Sequence, residues 1–230
     1  MRTSTSANLL IEMKRVKLLL HVCCGPCAAL PISRVSGESR VSPGGGGGRD
    51  CDGARGGAGS RSLDVDWRDI EVTGLFFNPN IHPADEFDRR LDGAVKLFES
   101  ARLPLIIQNC YMQREWELFE TGGEHSDPVL KKNLRCEMCY ETRLSHTAGM
   151  AREKGFDAFS TTLLISPYQN HEKIVSVCKT QSGIYGVGFF YWDGRPFFRE
   201  GQKLAKDIGL YRQKYCGCIF SLNERKAATG

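Results

Sequence analysis

Long apolar runs are missing from this chain: nowhere in its 230 residues is there a stretch near the roughly 20 consecutive apolar positions that cross a bilayer. Nothing at its start has the form of a secretory leader. The cluster Leu9-Leu10-Ile11 is too short and too poorly flanked for an apolar leader core. The excess of positive charge is small, 31 Lys and Arg against 27 Asp and Glu for a net +4. That balance permits an anionic partner such as nucleic acid without demanding one. The glycine run from Gly44 to Gly48 is not followed by the Lys-Ser/Thr pair and helix of a phosphate-binding loop, which excludes nucleotide binding of that kind. These absences set the expectation of a cytoplasmic protein with no membrane partner.

Large apolar residues are almost absent between about residues 34 and 66, where Gly44 to Gly48, Gly53, Gly56, Gly57 and Gly59 mix with Arg, Ser and Asp. Such a composition cannot bury enough surface to offset the entropy of ordering it. The segment is expected to be a flexible insertion in a single domain covering residues 1–230. Cys51 falls inside it and is expected to stand apart from any chemistry. Elsewhere the 41% hydrophobic content is enough to build a core.

What the chain does have is ten cysteines, most of them grouped: Cys23-Cys24-Gly25-Pro26-Cys27, Cys136-Glu137-Met138-Cys139 and Cys216-Gly217-Cys218. Clusters so far apart make chemical sense if the fold gathers their thiols. Gathered thiolates hold a soft metal or cluster, or exchange electrons as a dithiol/disulfide couple. In a reducing compartment the clustered cysteine is more often a ligand or catalytic group than a structural bridge. Cys110 and Cys178 lack sequence partners and are expected to be ordinary buried residues.

Strand and helix signals alternate. Residues 16–22 (VKLLLHV), 72–78 (VTGLFFN), 103–109 (LPLIIQN) and 156–162 (FDAFSTT) read as strands. Residues 84–103 carry Phe87, Leu91, Val95 and Phe98 at helical spacing, with Pro83 placed to open the helix. Residues 136–154 read as a helix with Leu144, Ala148 and Ala151 on one face, and residues 171–180 as a shorter one. This alternation predicts an α/β fold, a mostly parallel sheet with helices on both faces. Ligands of such sheets bind beyond the carboxyl ends of the strands.

That rule puts Cys23, Cys24 and Cys27 after the first strand, Asn78-Pro79-Asn80-Ile81-His82-Pro83 after the second, and Ser166-Pro167-Tyr168 soon after the fourth. Cys136 and Cys139, at i and i+3, share a helix face, and a helix start there would favour their thiolates. Cys23 and Cys24 with this pair give four thiolates, the number for a [4Fe–4S] cluster and equally for structural zinc. A Cys216–Cys218 disulfide would close a very small ring, so the pair suits electron traffic, although ligation of a second metal is the competing role. Cys27 is available to either. Arg135, Arg143, Arg212, Gln213 and Lys214 flank the thiols and suit nucleic-acid phosphates. Tyr140, Tyr168, Tyr211 and Tyr215 are candidates to stack on a base or to pack. Two other classes share parts of this pattern: a thioredoxin-like oxidoreductase, from Cys24-Gly25-Pro26-Cys27, and a zinc-stabilised nucleic-acid-binding module.

In order, LLLHVCCGPCA, FFNPNIHP, RCEMCYETRL, TTLLISPY and LYRQKYCGCIFS resemble the QueH-type epoxyqueuosine reductases over nearly all of the chain outside the insertion and the extreme amino terminus. The resemblance implies an adenine-nucleotide-α-hydrolase-like sheet and the last step of queuosine formation, the two-electron removal of an epoxide oxygen from epoxyqueuosine at the wobble position of tRNA. It implies a [4Fe–4S] cluster on Cys23, Cys24, Cys136 and Cys139, an additional iron near Cys27, and Cys216 with Cys218 as the redox-active pair. An external electron donor is implied, and no cobalamin. The chain departs from the family pattern in the insertion and in residues 127–135, where an acidic-Gly lead is expected. Neither departure removes a thiol.

Overall fold

A computed structural model describes residues 15–37, 67–112, 114, 116 and 128–229. Five strands form one all-parallel sheet: β1 (Val16–His21), β2 (Ile70–Phe77), β3 (Leu105–Gln108), β4 (Ala158–Thr161) and β5 (Gly188–Phe189), in the order β3-β2-β1-β4-β5. The helices are α1 (Gly25–Val35), α2 (Ala84–Ser100), α3 (Pro128–Glu153), α4 (His171–Tyr185), α5 (Phe198–Asp207) and α6 (Ile219–Thr229). The expected α/β class is therefore present.

β1 is central, and its continuous apolar run is what a strand covered on both faces requires. Alternate side chains enter different cores. Leu19 joins Leu75, Phe77 and Phe159 under Leu144, Ala148 and Ala151 of α3 and Ile174 and Val177 of α4. Leu18 and Leu20 join Val72 and Phe76 under Ala28, Ala29 and Ile32 of α1 and Phe87, Ala94, Leu97 and Phe98 of α2. Cys178 is fully buried in the first core, as expected, whereas Cys110 is only half-buried against it.

Three readings are corrected. α3 starts eight residues before Cys136 and not at it, so Cys136 and Cys139 stand inside the helix. They gain nothing from the partial positive charge of a helix start, which fades beyond the first turn. The buried face of α2 is turned from the expected stripe: Leu91 and Val95 are half-buried, and the charged pair Glu86 and Arg90 takes their place inside. α1 runs through Arg34 to Val35, with Arg34 lying 4.4 Å from the Phe197 ring centroid, so these residues belong to the fold and not to the insertion. The rest of the insertion, residues 38–66 with Cys51, lies outside the described residues. β5, α5 and α6 are additional to the sequence reading, and α4 is a turn longer than expected.

Candidate active site

The strand order reverses between β1 and β4, and there the chains leaving both strands diverge to open a crevice. The two exits are stitched together. His21 Nδ1 is 2.9 Å from Thr161 Oγ1, and the Cys23 amide donates to Thr162 Oγ1 at 3.1 Å. The Thr162 hydroxyl also lies 3.3 Å from Cys23 Sγ. Burial, with the nearby Arg143 cation, lowers the pKa of His21 to about 4, so the ring is neutral and structural.

The Cys23, Cys24 and Cys27 sulfurs all lie within 4.8 Å of one another, and all three residues are buried. Hydrogen bonds from the Cys24 and Cys27 thiols push the Cys23 thiol well below its ordinary value. Burial, and the proton it shares with Cys23, hold the Cys24 thiol up. Their bonds to Cys23 and to Cys24 do the same for Cys27. Cys24 and Cys27 thus belong to a three-thiol group and not to an isolated dithiol of the thioredoxin kind. The Gln213 amide Nε2 donates to Cys24 Sγ at 3.0 Å and lies 3.7 Å from Cys27 Sγ.

The second set is lined up by α3 and the loop before α6. Cys136, Cys139, Cys216 and Cys218 line one small cavity of about 30 Å³ with Asn80, Arg143 and Tyr140. Asn80, in the loop after β2, donates to Cys139 Sγ at 3.3 Å and accepts from Arg143 Nη2 at 2.5 Å. Burial raises the Cys136 and Cys139 thiols, the reverse of the thiolate stabilisation expected for them. Cys139 and Cys23 lie near enough to feel each other's charge. Among the described residues, the one group of three or more metal-type ligands within that 4.8 Å span is Cys23, Cys24 and Cys27. The four-thiol set of Cys23, Cys24, Cys136 and Cys139 is not a single group of that kind.

Cys216 and Cys218 are free thiols with sulfurs 3.7 Å apart, and the Ser221 hydroxyl is 3.0 Å from Cys216 Sγ. The bond from Cys218, opposed by burial and aided by Ser221, lowers the Cys216 thiol to about 5 and raises its partner. Cys216 also belongs to a larger cavity of about 470 Å³ that reaches Cys23 and Cys27 and is walled by Tyr168, Phe198, Gln202 and Gln213. Tyr168 is 82% exposed and meets Phe198 edge-on at 5.6 Å, whereas Tyr140 is buried and its hydroxyl is spent on Gln169. Arg212 and Lys214 line the same cavity and are exposed; Arg143 is buried, and Arg135 is half-buried and paired with Glu224 at 2.9 Å.

The lowered Cys216 thiol has a direct consequence. Alkylation of the peptide spanning residues 215–225 by iodoacetamide, followed by mass spectrometry, should stay near its maximal rate at neutral pH. It should fall about tenfold per unit only as pH drops below about 5, because the thiolate is the reacting form.

Sequence reasoning placed Asn80 at a strand end and gave Arg143 and Gln213 to phosphates, where the structure sets Asn80 and Gln213 against Cys139 and Cys24 and Arg143 against Asn80. It missed Thr162 and the Glu86–Arg90 pair altogether. Glu86 and Arg90 were detectable as two charges four apart, in register with Ala94 and Leu97 on a helix face that should be apolar.

A parallel sheet whose strand ends gather buried thiols around a cleft large enough for a nucleoside-sized ligand has the form of an α/β enzyme and marks the cleft as its candidate active site. The family model described as epoxyqueuosine reductase QueH matches residues 60–224, a span that contains Cys136, Cys139, Cys216 and Cys218. Proteins named epoxyqueuosine reductase QueH align over most of the chain. The one from Thermotoga maritima is 38% identical over 91% of this chain and 92% of its own length. That from Dehalococcoides mccartyi is 30% identical over 91% and 94%. That from Acinetobacter baylyi is 30% identical over 90% and 81%. The chain belongs to the QueH family of epoxyqueuosine reductases, and it is an enzyme, a reductase. Among the described residues no helix is long and apolar enough to cross a membrane.

Proposed function

We propose that this protein removes the epoxide oxygen of epoxyqueuosine in tRNA, giving queuosine, the last step of queuosine biosynthesis. The observation that carries the proposal is the position of Cys216. Its reactive thiol lies on the large cavity shared with Cys23 and Cys27 and also on the small one shared with Cys136 and Cys139.

The electron count fits a dithiol. The Cys216 and Cys218 thiols give two electrons and two protons; the epoxide loses both C–O bonds and becomes the cyclopentene, its oxygen leaves as water, and one disulfide forms. An external donor of two electrons and two protons restores the dithiol. The Cys216 thiolate is the group that starts electron transfer. Gln213 Oε1 is buried with no partner among the described residues, which makes it a ready acceptor for a substrate N–H or O–H. Exposed Tyr168 offers a stacking face for the base, while Arg212 and Lys214 suit the phosphates beside it.

A donor set of thiols alone, buried at Cys23, Cys24 and Cys27 and half-buried at Cys136 and Cys139, suits a soft metal and not a hard one. Cys23, Cys24, Cys136 and Cys139 are the residues that would hold a [4Fe–4S] cluster, and Cys27 is beside Cys23 and Cys24 for an additional iron. When bound, iron supplies Lewis acidity toward the epoxide oxygen. The proposal involves no cobalamin, and a cytoplasmic setting suits both the free thiols and the tRNA substrate.

The test is turnover. Anaerobically purified protein with a chemical reductant should convert epoxyqueuosine-containing tRNA to queuosine-containing tRNA, read by nucleoside mass spectrometry. Complete retention of the epoxide with iron-replete, folded protein would reject the assignment.

A further inference from the structure

Three consecutive carbonyls around the CGC thiols are each held by a donor from the loop after β2 or from α2. Arg90 Nη2 donates to Tyr215 O and Nη1 to Cys216 O, both at 2.9 Å, and the His82 amide donates to Gly217 O at 2.7 Å. The Tyr215 hydroxyl returns to His82 O. Gly217 has φ +124, and a Cβ there would sit 2.9 Å from Arg90 Nη1, so the loop is wrapped directly on the guanidinium. Arg90 is itself anchored: its Nε donates to Glu86 Oε1 at 2.7 Å, and Tyr211 donates to Glu86 Oε2 at 2.6 Å. Arg90 and Glu86 are 2% and 1% exposed. Taking both charges out of water is costly, and a buried pair of this sort is a poor source of stability by itself. Its geometric product is a fixed backbone under the thiols and a fixed cation beside Cys216.

We propose that Arg90, oriented by Glu86, is a positioning residue that sets the dithiol/disulfide equilibrium of Cys216 and Cys218. The inference rests on the proposed role of that pair as the redox couple. Closing the disulfide must draw together sulfurs that the pinned loop holds 3.7 Å apart. The guanidinium meanwhile favours negative charge on the reduced pair. Both effects favour the dithiol, as stabilisation of the reduced form does in strongly oxidising thiol pairs. Glu86 moderates the second effect by offsetting the cation.

Opposite signs are therefore expected for the two partners. Arg90→Met frees the carbonyls and deletes the cation, and should shift the equilibrium about tenfold toward disulfide, or about 30 mV more negative. Glu86→Gln keeps an oxygen for Arg90 Nε but removes the countercharge, and should shift it severalfold toward dithiol. The anaerobic holoenzyme is equilibrated with reduced and oxidised glutathione. As each disulfide forms, glutathione disulfide takes up the two electrons and two protons and becomes two glutathiones. The oxidised fraction is read on the peptide spanning residues 215–225, which holds no other cysteine. Shifts of opposite sign support the inference, and should Arg90→Met not fold, the Glu86→Gln shift toward dithiol decides. Shifts of the same sign, or an unmoved Glu86→Gln, would overturn it while leaving the redox couple intact. A wild-type peptide that never oxidises across the buffer range overturns the redox couple and the inference together.

Discussion

Cys216→Ser and Cys218→Ser should each lower turnover by about a thousandfold or more, the scale on which loss of a reacting group acts, with iron and acid-labile sulfide close to wild type. The separation follows from position. The two thiols are 3.7 Å apart on a loop held by Arg90, lining the small cavity with Cys136 and Cys139 but outside the compact group of Cys23, Cys24 and Cys27. Serine replaces a sulfur with an oxygen that neither forms a disulfide nor donates electrons. It leaves the hydrogen bonds to the Tyr215 and Cys216 carbonyls in place. Iron quantification and epoxide reduction on the same preparation check it. A cluster content that falls in step with activity would make these thiols ligands.

Replacing both Cys136 and Cys139 by alanine should remove the charge-transfer absorbance and most of the bound iron. These residues rest on one face of α3, i and i+3 apart, with Asn80 and Arg143 arranged around Cys139. Such a supporting shell orients metal ligands and is costly to lose. The first-core residues of the same helix, Leu144, Ala148 and Ala151, are untouched by the change, so the fold should persist. Absorbance and iron at wild-type levels in the folded double variant would remove Cys136 and Cys139 from the ligand set.

Much of this architecture was legible because it is written in local patterns. The run Leu18-Leu19-Leu20 announces a strand buried on both faces, and the motifs that follow β1, β2 and β4 fall at strand ends, where an α/β sheet opens its crevice. Residues whose role depends on a distant partner were not legible. Thr162 matters because it meets Cys23, and Gln213 because it meets Cys24. Each is an ordinary polar residue until the sheet closes. β5 contributes only Gly188 and Phe189 to the sheet, too short to carry a period. The start of α3 was misplaced because Cys136 marked the motif, whereas the helix is set by Pro128 and the residues after it, and with it went the argument for thiolates at a helix start.

The central claim is that this family member reduces its substrate with the Cys216–Cys218 dithiol. It is met most directly by a donor-free single turnover: the anaerobic, fully reduced holoenzyme is mixed with excess epoxyqueuosine-containing tRNA, and the nucleosides and the peptide spanning residues 215–225 are analysed together. The account predicts close to one queuosine per enzyme, with a Cys216–Cys218 disulfide formed in equal amount. Queuosine appearing while that pair stays a dithiol would contradict it.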